Sequence, residues 1–220
     1  MADRKEPRRT RQRILETSLD LFNRFGEPHI TTADIADEMN ISPGNLYYHF
    51  RNKDDIIGEL YASLEAEIAP LLVRPDDTAP DVEDLWLLLH LLFEKMRDYR
   101  FFYRDLDEIT SRNRRVATHF ADLTRSGEDT VVRLCRAMVE SGAMEASERE
   151  ILALSSNVAL VSTYWMSFQR VRSRHGPEDA GGDAAGGGLD RAAYQVLALI
   201  APYLVGDGRA LVERLGEEYL

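Results

Sequence analysis

Apolar residues recur along this chain at intervals of three and four, and no stretch alternates strictly between apolar and polar, so the pattern predicts helices and no strand. Ile14, Leu21, Phe22 and Phe25, flanked by Leu15 and Leu19, mark a first helix that Gly26 ends as a C-terminal cap. Thr31 or Thr32 caps a short second helix carrying Ala33, Ile35, Ala36 and Met39. Asn40 and Ile41 make a turn. Ser42 then caps a third helix from about Pro43 to His49, with proline where a helix tolerates it best, at its first position. Asn52 caps a fourth, whose face is Ile56, Ile57, Leu60, Leu64, Ile68 and Leu71.

Beyond a Pro- and Asp-containing stretch from Arg74 to Pro80 the helical pattern resumes, so that stretch is the expected boundary of the first domain. Asp81 caps a helix in which Leu85, Trp86, Leu88, Leu89, Leu92, Phe93 and Met96 leave little polar face, predicting deep burial. A short aromatic helix is expected over Tyr99–Ile109, and a longer one over Val116–Ser141, ended by Gly142. Ser147 and Glu150 form a capping box before a helix running to about Arg174. Six of the thirteen residues from Gly176 to Gly188 are glycine, which predicts a flexible loop. Leu189–Leu204 follows as a helix, with a last short one after Gly208. The expected fold is all-α: an N-terminal three-helix helix-turn-helix domain over 1–60, and a C-terminal helical bundle over 61–220.

Composition refines this picture at three points. The uncharged run Ile151–Phe168 approaches the length of a bilayer span, but Ser155, Ser156, Asn157, Ser162 and Thr163 favour burial against protein, so no membrane is expected. The charged start of the chain predicts no secretory leader, and the lone Cys135 cannot form a disulfide within the chain; both point to the cytoplasm. The net charge of −11 is unevenly spread, because the first thirteen residues hold six Lys/Arg against two acids. A basic arm on an acidic body directs one end toward phosphate.

Two short helices joined by a tight turn and propped by a third describe a helix-turn-helix, whose second helix enters the major groove of DNA. Within Ser42–Lys53, Leu46 and Phe50 face inward, leaving Asn45, Tyr47, Tyr48, His49 and Lys53 for other work. Asn45 suits adenine through two hydrogen bonds, and hydroxyl and ammonium groups suit phosphate. Gly26, the run Thr31-Thr32-Ala33-Asp34-Ile35-Ala36 and the segment Ser42–Lys53 together resemble the N-terminal domain of the TetR/AcrR family of repressors, over about residues 10–60. That resemblance implies phosphate contacts from Thr32, Tyr47 and Lys53. It also implies base reading near Ala33, Pro43, Gly44, Asn45 and sometimes Tyr47, with His49 able to serve either purpose. Tyr48 joins the contact set, although a packed ring is its simpler role.

The second domain resembles that family only in length and helical outline. Its aromatics with two histidines (Trp86, His90, Phe93, Phe102, His119, Phe120, Tyr164, Trp165 and Phe168) are the expected lining of an apolar small-molecule pocket. Ala159, Val161, Tyr164, Val171, Val196, Leu199, Ile200 and Tyr203, on the helices flanking the glycine tract, are assigned to self-association in a four-helix bundle. No His-x-x-x-His, Cys-x-x-Cys or phosphate-cradling glycine loop appears, so neither metal nor cofactor is expected and catalysis is disfavoured. The expected function is a homodimeric repressor on a roughly palindromic operator in double-stranded DNA, released by a mainly apolar effector. A dimeric architectural DNA-binding protein without an effector is the alternative.

Overall fold

The computed structural model describes residues 6–73, 82–172, 184–206, 208–210, 212 and 214. Among them the elements are α1 (Glu6–Phe25), α2 (Thr32–Glu38), α3 (Pro43–His49), α4 (Lys53–Leu72), α5 (Val82–Asp98), α6 (Arg100–Arg104), α7 (Leu106–Arg112), α8 (Arg114–Glu140), α9 (Glu148–Arg172) and α10 (Ala184–Ile200). No strand occurs among the described residues, only one antiparallel bridge between Met144 and Leu204. The fold is all-α, as the helical periodicity requires.

The described residues form two compact units. The first takes those up to Ala66 together with Tyr99–His119, and the second takes Glu67–Asp98 and those from Phe120 onward. The first unit is therefore not a single stretch of sequence: α6, α7 and the start of α8 join α1 to α4. Its interior holds Ile14, Phe22, Ile35, Leu46, Ile56, Ile57, Leu64, Phe101, Phe102 and Ile109, all fully buried. Phe22 meets Phe101 at 5.2 Å between ring centroids, and Tyr61 meets Phe102 edge-on at 5.5 Å. Contacts of this kind hold aromatic rings in fixed register.

In the second unit α10 packs on α9 and α5. Val82, Leu85, Leu89, Phe93 and Met96 form the buried stripe of α5, spaced by three and four as a helix face demands. The other side of α5 is open, with Leu87 and His90 exposed, so this helix is buried along one face and not all round. Thr130 Oγ1 and Arg133 Nη2 both donate to the carbonyl of Leu72 at 2.9 Å, satisfying an acceptor that the end of α4 leaves open. The Ser147–Glu150 box begins α9 as expected, the Glu150 carboxylate accepting from Ser147 N at 2.7 Å.

Three expectations need correction or fall outside the described residues. The aromatic helix expected over Tyr99–Ile109 is broken at Asp105 into α6 and α7, because the Asp105 carboxylate is engaged by distant and neighbouring donors described below. Residues 176–183 of the glycine tract, like Asp81 and the stretch Arg74–Pro80, lie outside the described residues. Ala184–Gly188, expected as loop, instead form the opening of α10. Each glycine there costs about 1 kcal/mol relative to alanine, but adding residues to an existing helix is far easier than starting one. Val196 and Ile200, assigned to self-association, are buried inside the chain.

Candidate nucleic-acid interface

Local sequence determines how α2 and α3 are set. Gly26 closes α1 with φ +94°, a value L side chains avoid, and a Cβ there would lie 3.2 Å from the His29 ring. Thr31 caps α2 through a capping box: its Oγ1 accepts from Asp34 N at 3.2 Å while the Asp34 carboxylate accepts from Thr31 N at 2.7 Å. Hydrogen bonds from Thr31 hold the Asp34 carboxyl below the usual range. Asn40, at φ 54°, turns the chain. Asparagine is among the few residues that tolerate that region. Ser42 Oγ then accepts from Asn45 N at 3.2 Å to cap α3, with Pro43 at its start.

Of the seven residues of α3 only Leu46 is buried, and Phe50, just beyond, is the second anchor. Pro43, Gly44, Asn45, Tyr47 and Tyr48 are exposed together and His49 is half-buried. Ala33 is exposed and Thr32 half-buried at the start of α2, and the hydroxyls of Thr32 and Tyr47 are 3.0 Å apart. Tyr48 is 79% exposed and touches the His49 ring edge-on at 5.1 Å, so the packed role considered for it does not hold. An exposed tyrosine on a seven-residue helix with one buried side chain is available to a partner surface.

Lys53 is placed differently from the others. Its ammonium binds Glu27 Oε1 at 2.7 Å and donates to the carbonyls of Ile30 at 2.9 Å and Glu27 at 3.0 Å. Glu27 is wholly buried, and the same Oε1 receives Arg112 Nη2 at 2.7 Å. Arg112 also binds Asp54 Oδ1 at 2.9 Å. A buried carboxylate is costly unless paired, so these two cations are what permit Glu27 to sit there. Burial opposes the charge on Arg112, but Glu27 and Asp54 outweigh it and raise its pKa. The Glu27 amide donates to Asp105 Oδ2 at 3.1 Å, and Arg104 donates to that same oxygen at 3.3 Å and to the Phe22 carbonyl. Periodicity could not reveal this network, since its members lie up to 85 residues apart.

From the expected basic arm, Arg11 lies within α1, stacked 4.8 Å over the Phe50 ring and paired with Glu59 at 3.0 Å. Its guanidinium thus braces the end of α3. The residues expected to line a ligand pocket fall in both units. Phe102 is fully buried in the first, its ring 4.2 Å from that of Phe101, and the His119 imidazole is held by Glu65 at 3.2 Å. In the second unit Trp86 stacks on exposed His90 at 5.3 Å, Phe93 is buried, Phe120 is half-buried, and Trp165 meets exposed Phe168 at 5.7 Å, with Tyr164 exposed. His90 therefore does not supply the buried polar point expected of it. Burial pushes the Cys135 thiol up to about 11, which keeps it protonated.

A capped pair of short helices, with the second presenting an almost unbroken exposed face, is the geometry of a helix-turn-helix DNA-binding protein. Comparison with known proteins agrees. A family model described as bacterial regulatory proteins of the tetR family matches residues 14–60, and one described as bacterial transcriptional repressor, TetR, matches residues 63–212. The chain belongs to the TetR family of transcriptional regulators, which are DNA-binding proteins and not enzymes. A TetR-family regulator from Marinobacter aquaeolei VT8 shares 37% identity over 96% of this chain and 98% of its own, with a TM-score of 0.83. The regulator AcrR of Shigella flexneri is 32% identical over 102 residues, 44% of this chain and 46% of its own. The chain thus spans about half the length of the curated relatives it matches. A protein from Saccharomonospora viridis solved with choline has the same fold, at a TM-score of 0.68 and 20% identity over 90% of this chain and 98% of its own.

Proposed function

We propose that this regulator is a cytoplasmic homodimeric repressor that holds a roughly palindromic DNA operator through α3 and is released by a mainly apolar small molecule. The observation that carries the DNA reading is the exposure of Pro43, Gly44, Asn45, Tyr47 and Tyr48 on a helix anchored by Leu46. Thr32 and Tyr47 present hydroxyls to phosphate, Asn45 reads a base, and Ala33, Pro43, Gly44, Tyr48 and His49 complete the contact surface. Residues 1–60 supply DNA binding, while 61–220 supply effector binding and dimerisation.

Dimerisation is supported by α9. Its buried residues end at Val158, whereas Leu160, Tyr164, Phe168 and Val171 beyond it are exposed. This helix is long and apolar enough to cross a membrane, but a second copy covers the same face in a soluble regulator. Trp86, Phe93, Phe120 and Trp165 are the aromatics of the second unit best suited to an effector, and the choline bound by the Saccharomonospora protein supports a small-molecule site in this fold. An effector acts only through its differential affinity for the two states of the dimer. The test is selection of genomic fragments bound by the purified protein, followed by displacement from the selected duplex with a panel of small molecules. Enrichment of one inverted repeat, released by a subset of apolar compounds, is the expected result. A failure to enrich any sequence sinks the repressor reading, and a repeat that no compound releases favours an architectural DNA-binding protein without an effector.

A further inference from the structure

Lys53 stands where family resemblance implies a phosphate contact, yet its three N–H groups already have three acceptors: Glu27 Oε1, the Glu27 carbonyl and the Ile30 carbonyl. We propose that Lys53 is not a DNA contact but a strut that closes the helix-turn-helix on itself, and that Arg112, sharing its carboxylate, is a positioning residue for DNA binding. This rests on the reading of α3 as the recognition helix.

The placement of the strut supports the role. Ile30 immediately precedes Thr31, the cap that starts α2, and Lys53 opens α4 shortly after α3 ends. One ammonium therefore joins the chain entering the motif to the chain leaving it. Release of Lys53 toward a phosphate would remove a donor from Glu27, whose side chain is 0% exposed, and an uncompensated charge at such depth is strongly unfavourable. Arg112 approaches the same Oε1 from α7 and carries Asp54 on its other edge, so the four groups balance as two cations and two anions. A guanidinium can bridge two carboxylates in this way, whereas an ammonium lacks the planar fork. Loss of Arg112 slackens the loop before α2 without removing any group from the exposed face of α3.

Salt dependence separates a strut from a contact. Affinity of the full-length protein is measured at several salt concentrations for the selected duplex and for a mixed-sequence duplex, using wild type, Lys53→Met, Arg112→Met and Glu27→Gln with Lys53→Met. Circular dichroism and light scattering check fold and assembly. The expected result is that Lys53→Met and Arg112→Met each weaken binding about 5- to 150-fold, the range of a coupling between sites, with the slope of log affinity against log salt unchanged. The charge-balanced double variant recovers much of the loss, which deletion of a true phosphate contact cannot do. A slope lowered by about 0.9 for each Lys53 removed, with no recovery in the double variant, overturns the proposal. If Lys53→Met does not fold, Arg112→Met decides: full wild-type affinity overturns the positioning role. Absence of binding by wild type itself would instead overturn the DNA-binding reading.

Discussion

The hydroxyl oxygens of Thr32 and Tyr47 stand 3.0 Å apart, tying the first turn of α2 to the exposed face of α3. One hydroxyl donates to the other, so a single hydrogen remains to reach outward from the pair. Tyr47→Phe and Thr32→Val should each weaken operator binding, and the double variant should lose less than the sum. A double-mutant cycle on DNA affinity is expected to return a coupling of about 0.5 to 1.5 kcal/mol. Strict additivity would mean that the pair acts as two separate contacts.

Gly44 has room for a side chain: a Cβ there would meet only Ser42 Oγ, at 3.9 Å. The fold therefore does not require glycine at this position, and Gly44→Ala should raise thermal stability by about 0.5 to 1 kcal/mol. Operator affinity should fall nonetheless, because the open space is what allows close approach of DNA. A variant that gains stability and keeps full affinity would remove Gly44 from the interface.

Asn45 is exposed on α3 and its backbone, not its side chain, is used in the cap. Asn45→Ala should leave the melting temperature nearly unchanged and relax preference at one operator position, at a cost of about 1 to 3 kcal/mol. Binding measured across a panel of single-base operator variants checks this. Uniform weakening across the panel would point to a phosphate contact instead.

The exposed apolar face of α9 predicts assembly. Replacing Leu160 and Phe168 together by glutamate should yield a monomer by light scattering that keeps its helix content but loses operator binding, since both half-sites must be held at once. An unaltered dimer would move the interface elsewhere.

Acid should loosen the entry to α2. The Asp34 carboxyl is held below its ordinary value by Thr31, so the folded state favours its charged form. Its contribution to stability is complete above the unfolded aspartate value of about 4 and fades as pH falls through the lower folded value. The melting difference between wild type and Asp34→Asn should therefore shrink over that acidic interval. A difference that stays constant would show that the charge is not what caps the helix.

The bounds of α3 were legible because two local signals agree there, a serine cap and a proline at the first position, and both act within four residues. The break between α6 and α7 was not legible. Asp105 ends α6 while its carboxylate serves the Glu27 amide, 78 residues away in sequence, and periodicity carries no trace of such a partner. The same holds for Lys53, whose spacing and family position suggested an outward cation before the structure placed Glu27 and Ile30 around it. For α5 the sequence pattern overstated burial, since leucines at Leu87 and Leu88 extend the apolar run beyond the stripe that packs. Richness in leucine shows that a helix has a buried face without showing how wide that face is.

Phe101 packs on Phe22, and the segment that contains it belongs to the first compact unit although it lies far along the chain. Anyone grafting this DNA-binding head onto another sensor would naturally cut near residue 60 or 66. Such a chimera would discard Phe101, Arg104 and Arg112, leaving Phe22 without its ring neighbour and Glu27 with one cation instead of two. A working transplant has to carry Tyr99–His119 as a second insert, so the exchangeable module of this regulator is a pair of segments and not a contiguous N-terminal fragment.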